Sequence, residues 1–117
     1  MKLTYARIFV DDLAAARTFY RDTLGLMELW NWNDVAFGYD VGVTLMIEPT
    51  DGNTPEEVGR FVGLSLAVDD IQATYQRLQS SGVEFTYAPT QQPWGGTLAH
   101  FKDTSGNVLT LVEMGAP

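Results

Sequence analysis

Few side chains in this sequence are suited to chemistry. His100 is the one histidine, in the strand-like run Thr97-Leu98-Ala99-His100-Phe101-Lys102. An imidazole titrates near pH ~6.5 and can pass a proton either way close to neutrality. Alternation sends His100 and Phe101 to opposite faces, so Phe101 packed on a helix would turn His100 toward a cavity. A hydrogen-bonded space-filler is the other use of such a histidine. Arg7 shares a face with Tyr5 on the first predicted strand, where its guanidinium could clamp a ligand carboxylate or phosphate. It could equally form an internal salt bridge with one of the 15 acidic residues, because a cation on an otherwise apolar face needs some partner.

Three tryptophans in 117 residues are the other chemical signal. Trp30 and Trp32 lie on one face of a short strand, and Trp94 opens the loop before the strand of His100. Aromatic walls suit flat or cationic organic ligands through stacking and cation–π contact. Phe37, Tyr39 and Met46 could complete such a wall. Core or dimer-interface packing is the alternative for each tryptophan.

Composition removes several classes. Without cysteine there is no disulfide framework, thiolate nucleophile or sulfur-ligated zinc. The net charge of -8 repels phosphate backbones, so no nucleic acid partner is expected. That acidity would favour a cationic ligand, or simply keep the chain soluble. No apolar run reaches the roughly 18 residues of a membrane span, and Met1-Lys2-Leu3-Thr4 leads straight into a strand pattern. No membrane partner and a cytoplasmic address are the expectations.

The positioning elements follow from periodicity. Residues 4–10 alternate, with Ala6, Ile8 and Val10 on one face and Tyr5, Arg7 and Phe9 on the other. Asp11 or Asp12 can cap a helix to about Asp22, in which Leu13, Ala16, Tyr20 and Leu24 recur at helical spacing before Gly25 stops it. Strands are predicted near 27–32, 35–40 and 43–48. Residues 49–61 read as a linker with one helical turn at Thr54-Pro55-Glu56-Glu57. The order then repeats. A strand at 62–68 sets Leu64, Leu66 and Val68 against Gly63, Ser65 and Ala67. A helix over 71–80 and strands near 83–88, 96–102 and 107–113 follow, the last two joined through Asp103-Thr104-Ser105-Gly106-Asn107. Val10-Asp11-Asp12-Leu13 and Val68-Asp69-Asp70-Ile71 mark the two copies, so one supersecondary unit is used twice. The paired aspartates read as caps, and Gly95-Gly96 as a turn.

Val-Asp-Asp-Leu with Phe19-Tyr20-Arg21-Asp22-Thr23-Leu24-Gly25, and later Pro93-Trp94-Gly95-Gly96 with Phe101-Lys102-Asp103-Thr104-Ser105-Gly106-Asn107, resembles the vicinal oxygen chelate superfamily. That superfamily includes glyoxalase I, extradiol dioxygenases, and fosfomycin- and bleomycin-resistance proteins. The resemblance implies an α+β fold: one domain over 1–117, with βαβββ modules at 1–48 and 62–117 forming a curled mixed sheet around a cavity. It also implies a homodimer. In extradiol dioxygenases the place of His100, ten residues before Thr110, carries an active-site acid/base residue.

Metal-using members place His, Gln or Glu at four positions that here hold Tyr5, Gly63, Thr110 and either Leu45 or Met46. None suits a hard or borderline divalent ion, so no metal and no cofactor are expected. Glu48 and Glu113 end corresponding strands, but Glu113 shares the helix-side face of Leu109 and Leu111. The resulting expectation is metal-independent binding of a small organic molecule, as in bleomycin resistance. Its ligand would meet Tyr5, Arg7, Trp30, Trp32, Phe37, Tyr39, Met46, Ser65, Trp94 and Thr110. The alternative is a glyoxalase-like lyase or isomerase in which His100 moves a proton while Arg7 and Tyr5 hold an anionic substrate. A vestigial cavity with an interaction role is a third.

Overall fold

The computed structural model describes residues 1–115. The chain is α+β, with two four-stranded mixed sheets and few helices. The first compact unit comprises Met1–Arg60 with Thr104–Asn107, and the second Phe61–Asp103 with Val108 onward.

In the first unit β1 (Tyr5–Val10) leads to α1 (Leu13–Arg17), a π-helical segment Thr18–Thr23, β2 (Met27–Trp32), β3 (Ala36–Val41) and β4 (Val43–Pro49). The sheet order is β1-β4-β3-β2, with β1 parallel to β4 and the other neighbours antiparallel. Asp12 caps α1 by accepting the Ala15 N–H at 3.0 Å. The helix expected to run to Asp22 keeps its α form only to Arg17. Beyond that the coil widens, and Leu24 N–H bonds back to the Phe19 carbonyl at 2.8 Å. A wider turn lets the consecutive Phe19 and Tyr20 both reach the core, where both are buried. Gly25, at φ +74°, ends the segment. Ile8, Val10, Phe37, Tyr39, Leu45 and Ile47 complete this core.

One polar group enters that core's edge. The Glu28 carboxylate accepts from Arg17 Nε and Nη2 at 3.0 and 2.9 Å and from the Tyr39 hydroxyl at 3.1 Å. The Arg17 guanidinium also lies 4.8 Å from the Phe37 ring centroid. Arg17 holds the Glu28 carboxyl below its ordinary range, with Tyr39 adding to the effect against desolvation. Burial, then the Glu28 charge, push the Tyr39 phenol well up. A carboxylate depressed in the folded state contributes stability above its unfolded pKa, and that contribution disappears as pH falls through the folded value. Glu28→Gln should therefore cost about 2 kcal/mol at pH 7. Denaturant unfolding should show the gap from wild type closing between about pH 5 and pH 2. A gap as large at pH 2 as at pH 7 would show that the charge is not what Arg17 and Tyr39 stabilise.

In the second unit β5 (Phe61–Ala67), α2 (Ile71–Ser80), β6 (Phe85–Gln91), β7 (Thr97–Lys102) and β8 (Val108–Glu113) form a sheet of order β5-β8-β7-β6. Asp70 caps α2 through the Ala73 N–H, and Glu113 accepts the Ile71 N–H at 3.1 Å, on the helix side as its alternation predicts. β6 begins two residues later than expected. The C-terminal turn of α2 claims Val83, whose N–H bonds the Leu78 carbonyl, and Gly82 takes φ +90° there. Pro89 is tolerated because β6 is an edge strand. Tyr75 meets Phe85 edge-on and Phe85 meets Phe101 at a tilt, with centroids 4.7 and 5.7 Å apart. No helix among the described residues is long and apolar enough to cross a membrane.

Candidate binding cleft on the first sheet

The cleft begins with an irregularity in β2. Glu28 pairs with Tyr39, yet Trp30 pairs with the next residue, Gly38, so two residues of β2 oppose one of β3. Without this bulge Glu28 and Trp30 would share a face. With it, Glu28 turns to the core beside Tyr39, and Trp30 turns to the other side with Gly38 and Met46, which are themselves in register. Trp32, paired with Ala36, follows Trp30.

An open cleft of about 580 Å³ results, lined by Trp30, Asn31, Trp32, Val35, Ala36, Met46, Glu48 and Pro49. The Trp30 indole lies against Gly38, where a side chain's Cβ would overlap Cε2 and Nε1 of the ring. Glycine inside a strand often marks such a close approach. Glu48 is the one ionisable lining residue. Both its oxygens are taken by Arg7, from Nε at 2.7 Å and Nη2 at 2.8 Å. That hydrogen bonding and the charge of Glu48 hold the guanidinium firmly protonated. Of the two roles open to Arg7, the structure shows the ion pair. Tyr5, in register with Thr44, lies exposed farther along the same face.

Phe37 and Tyr39 stand elsewhere than expected. They pair with Ile47 and Leu45 and are buried in the core, opposite Gly38 and Met46. Alternation along β3 allows Gly38 or its aromatic neighbours on the cleft face but not both. The aromatic part of the cleft wall therefore comes from β2, with Met46 of β4 and Ala36 of β3 beside it.

The second sheet carries a corresponding row. Ser65 pairs with Thr110, and Thr110 with His100, which pairs with Tyr87. His100 Nδ1 is 2.9 Å from Thr110 Oγ1. The imidazole stacks on Tyr87 with centroids 5.3 Å apart, and Phe61 meets it edge-on at 5.2 Å. Phe101 faces α2's side, so His100 takes the opposite face, as alternation predicts. Trp94 is exposed and rests against Gly96. Sequence reasoning missed Gly38, Tyr87 and Phe61. The repeat alone does not point to Tyr87, because superposing Val68 on Val10 sets Trp30 against Ala88; only the registers match Ser65, Thr110, His100 and Tyr87 to Arg7, Met46, Gly38 and Trp30.

The positions that hold metal in related enzymes do not fit a divalent ion here. Leu45 is buried in the core, so the β4 position is Met46, a soft thioether. Gly63 has no side chain, the Thr110 hydroxyl is bonded to His100, and Tyr5 offers only a phenol. Glu48 is held by Arg7 and Glu113 caps α2. Among the described residues no three His, Cys, Asp or Glu side chains are grouped to hold a metal.

Two βαβββ units, each with a four-stranded sheet of the same strand order, define a class of small α+β proteins. The chain matches the Glyoxalase/Bleomycin resistance protein/Dioxygenase superfamily over residues 2–111 and belongs to it. It is similar to the uncharacterized protein YurT of Bacillus subtilis (strain 168), at 33% identity over 97% of this chain and 99% of that one. A shorter similarity, 34% over 55 residues, joins 41% of this chain to 44% of a bleomycin resistance protein from Klebsiella pneumoniae. Among solved structures it resembles TnmS3, an antibiotic binding protein from Streptomyces sp. CB03234. The TM-score is 0.78 at 29% identity, covering 97% of this chain and 95% of that one.

Proposed function

We propose that this protein binds a small aromatic organic molecule in the cleft of the first sheet and sequesters it without transforming it. The observation that carries this reading is the lining: two indoles and a thioether around a cleft whose only ionisable side chain is already bound. Such surfaces gain from stacking and apolar burial and supply no group for proton transfer. The similarities to an antibiotic binding protein and, in part, to a bleomycin resistance protein support it. A cytoplasmic homodimer completes the proposal. Exposed Met27 and Leu29 on edge strand β2 favour self-association.

The test is intrinsic tryptophan fluorescence of metal-analysed protein against aromatic metabolites, cationic glycopeptides and small 2-oxo acids. Saturable quenching by an aromatic compound should persist in Trp94→Phe and weaken about tenfold in Trp32→Ala. Quenching that vanishes with Trp94 alone, or that tracks bound metal, would overturn the assignment.

A second reading, a lyase or isomerase using His100, draws on one observation. The Thr110 contact and the Tyr87 stack fix the imidazole's orientation, as an acid/base residue requires. Against it, Arg7 already gives its Nε and Nη2 donors and its charge to Glu48, which weakens its hold on an anionic substrate. His100→Ala separates the two, leaving affinity close to wild type in a binder and abolishing turnover in an enzyme.

A further inference from the structure

We infer that Arg7 sets the charge preference of the cleft: by occupying both oxygens of Glu48 it makes the site select uncharged aromatic ligands over cations. The inference rests on the binding role proposed for this cleft and names the class of ligand that role would serve.

An acidic chain with tryptophans beside a carboxylate would ordinarily attract organic cations. Here the carboxylate is not available. Glu48 is largely covered, with 15% of its side chain exposed, and its oxygens accept Arg7 Nε and Nη2 in the bidentate geometry that makes such pairs strong. Arg7 is held in turn: β1 and β4 run parallel with Arg7 opposite Met46 and Phe9 opposite Glu48, and the guanidinium lies 5.1 Å from the Phe9 ring centroid. Arg7 is itself half exposed, so a cation entering beside Glu48 would have to displace that guanidinium or lie next to it, giving up part of its hydration at a carboxylate whose charge is already matched. A neutral ring meets no such cost, since the rest of the lining is Trp, Met, Val, Ala and Pro with the amide of Asn31.

The experiment compares two probes on one ring system, 9-anthracenemethanol and (anthracen-9-ylmethyl)trimethylammonium, by fluorescence titration. Wild type should bind the neutral probe at least tenfold more tightly. Arg7→Met frees the Glu48 charge and should shift the ratio of the two affinities toward the cation by tenfold or more. Adding Glu48→Gln to Arg7→Met should cancel that shift. Arg7→Lys, which retains the charge without the fork, should fall between and serves if Arg7→Met does not fold. A preference for the cation in wild type, or an Arg7→Met ratio equal to that of wild type, would overturn the inference while leaving the cleft as a binding site. Failure of both probes to bind wild type would instead remove the binding role and the inference with it.

Discussion

Asn107→Ala is expected to lower stability by about 3 kcal/mol, more than the loss expected of Glu28→Gln. Asn107 is fully buried. Its Nδ2 donates to the Phe9 carbonyl and its Oδ1 accepts from the Gly59 N–H, both at 2.9 Å. Alanine would strand one backbone acceptor and one donor and leave a small void, each of which costs free energy. In a chain of this size the loss corresponds to a fall in Tm of roughly 10 °C. Asn107→Asp is the sharper probe. It keeps the acceptor for Gly59 but sets a carboxylate oxygen against the Phe9 carbonyl, so at neutral pH it should destabilise at least as much as alanine. Part of that loss should return at low pH, where the carboxyl regains a proton to donate. Thermal melts of both variants within 3 °C of wild type would mean that water replaces the side chain at both backbone groups.

Gly38→Ala should separate binding from folding. A Cβ at position 38 overlaps Trp30 ring atoms, and the half-buried indole must swing away, taking one wall of the cleft with it. Alanine suits a strand better than glycine, which offsets part of the lost packing, so the net change in stability should stay within about 1 kcal/mol. Affinity for an aromatic ligand should fall tenfold or more, since stacking falls off once the ring plane is displaced. Titration of a folded Gly38→Ala protein with wild-type affinity would show that Trp30 is not a wall of the site.

Both predictions depend on features that the sequence displays but does not interpret. Asn107 stands in a turn cluster that any reading of Asp103-Thr104-Ser105-Gly106 would mark as a loop, and a turn residue is ordinarily solvated. Its partners Phe9 and Gly59 lie 98 and 48 positions away. Gly38 sits between Phe37 and Tyr39, and in a strand whose neighbours are unknown the aromatic pair reads as the wall. Residues placed by their own neighbours were legible. Asp12 and Asp70 cap helices because the capped N–H is three residues on. His100 and Phe101 take opposite faces because a strand's period is two.

The sequence by itself determined the duplicated βαβββ plan, the caps, the strand alternation and the poor metal donors at Tyr5, Gly63 and Thr110. The caps and the alternation follow from residue type and spacing within one element; the repeated element order follows from the two matching halves, and the metal positions are those that the resemblance implies. Tertiary structure alone decided three matters: that Leu29 is the extra residue turning Trp30 away from Glu28, that Met46 and not Leu45 faces the cleft, and that Arg7 spends its charge on Glu48. Each depends on which strand lies alongside and in what register. A shift of one residue there exchanges every side chain between the two faces of the sheet.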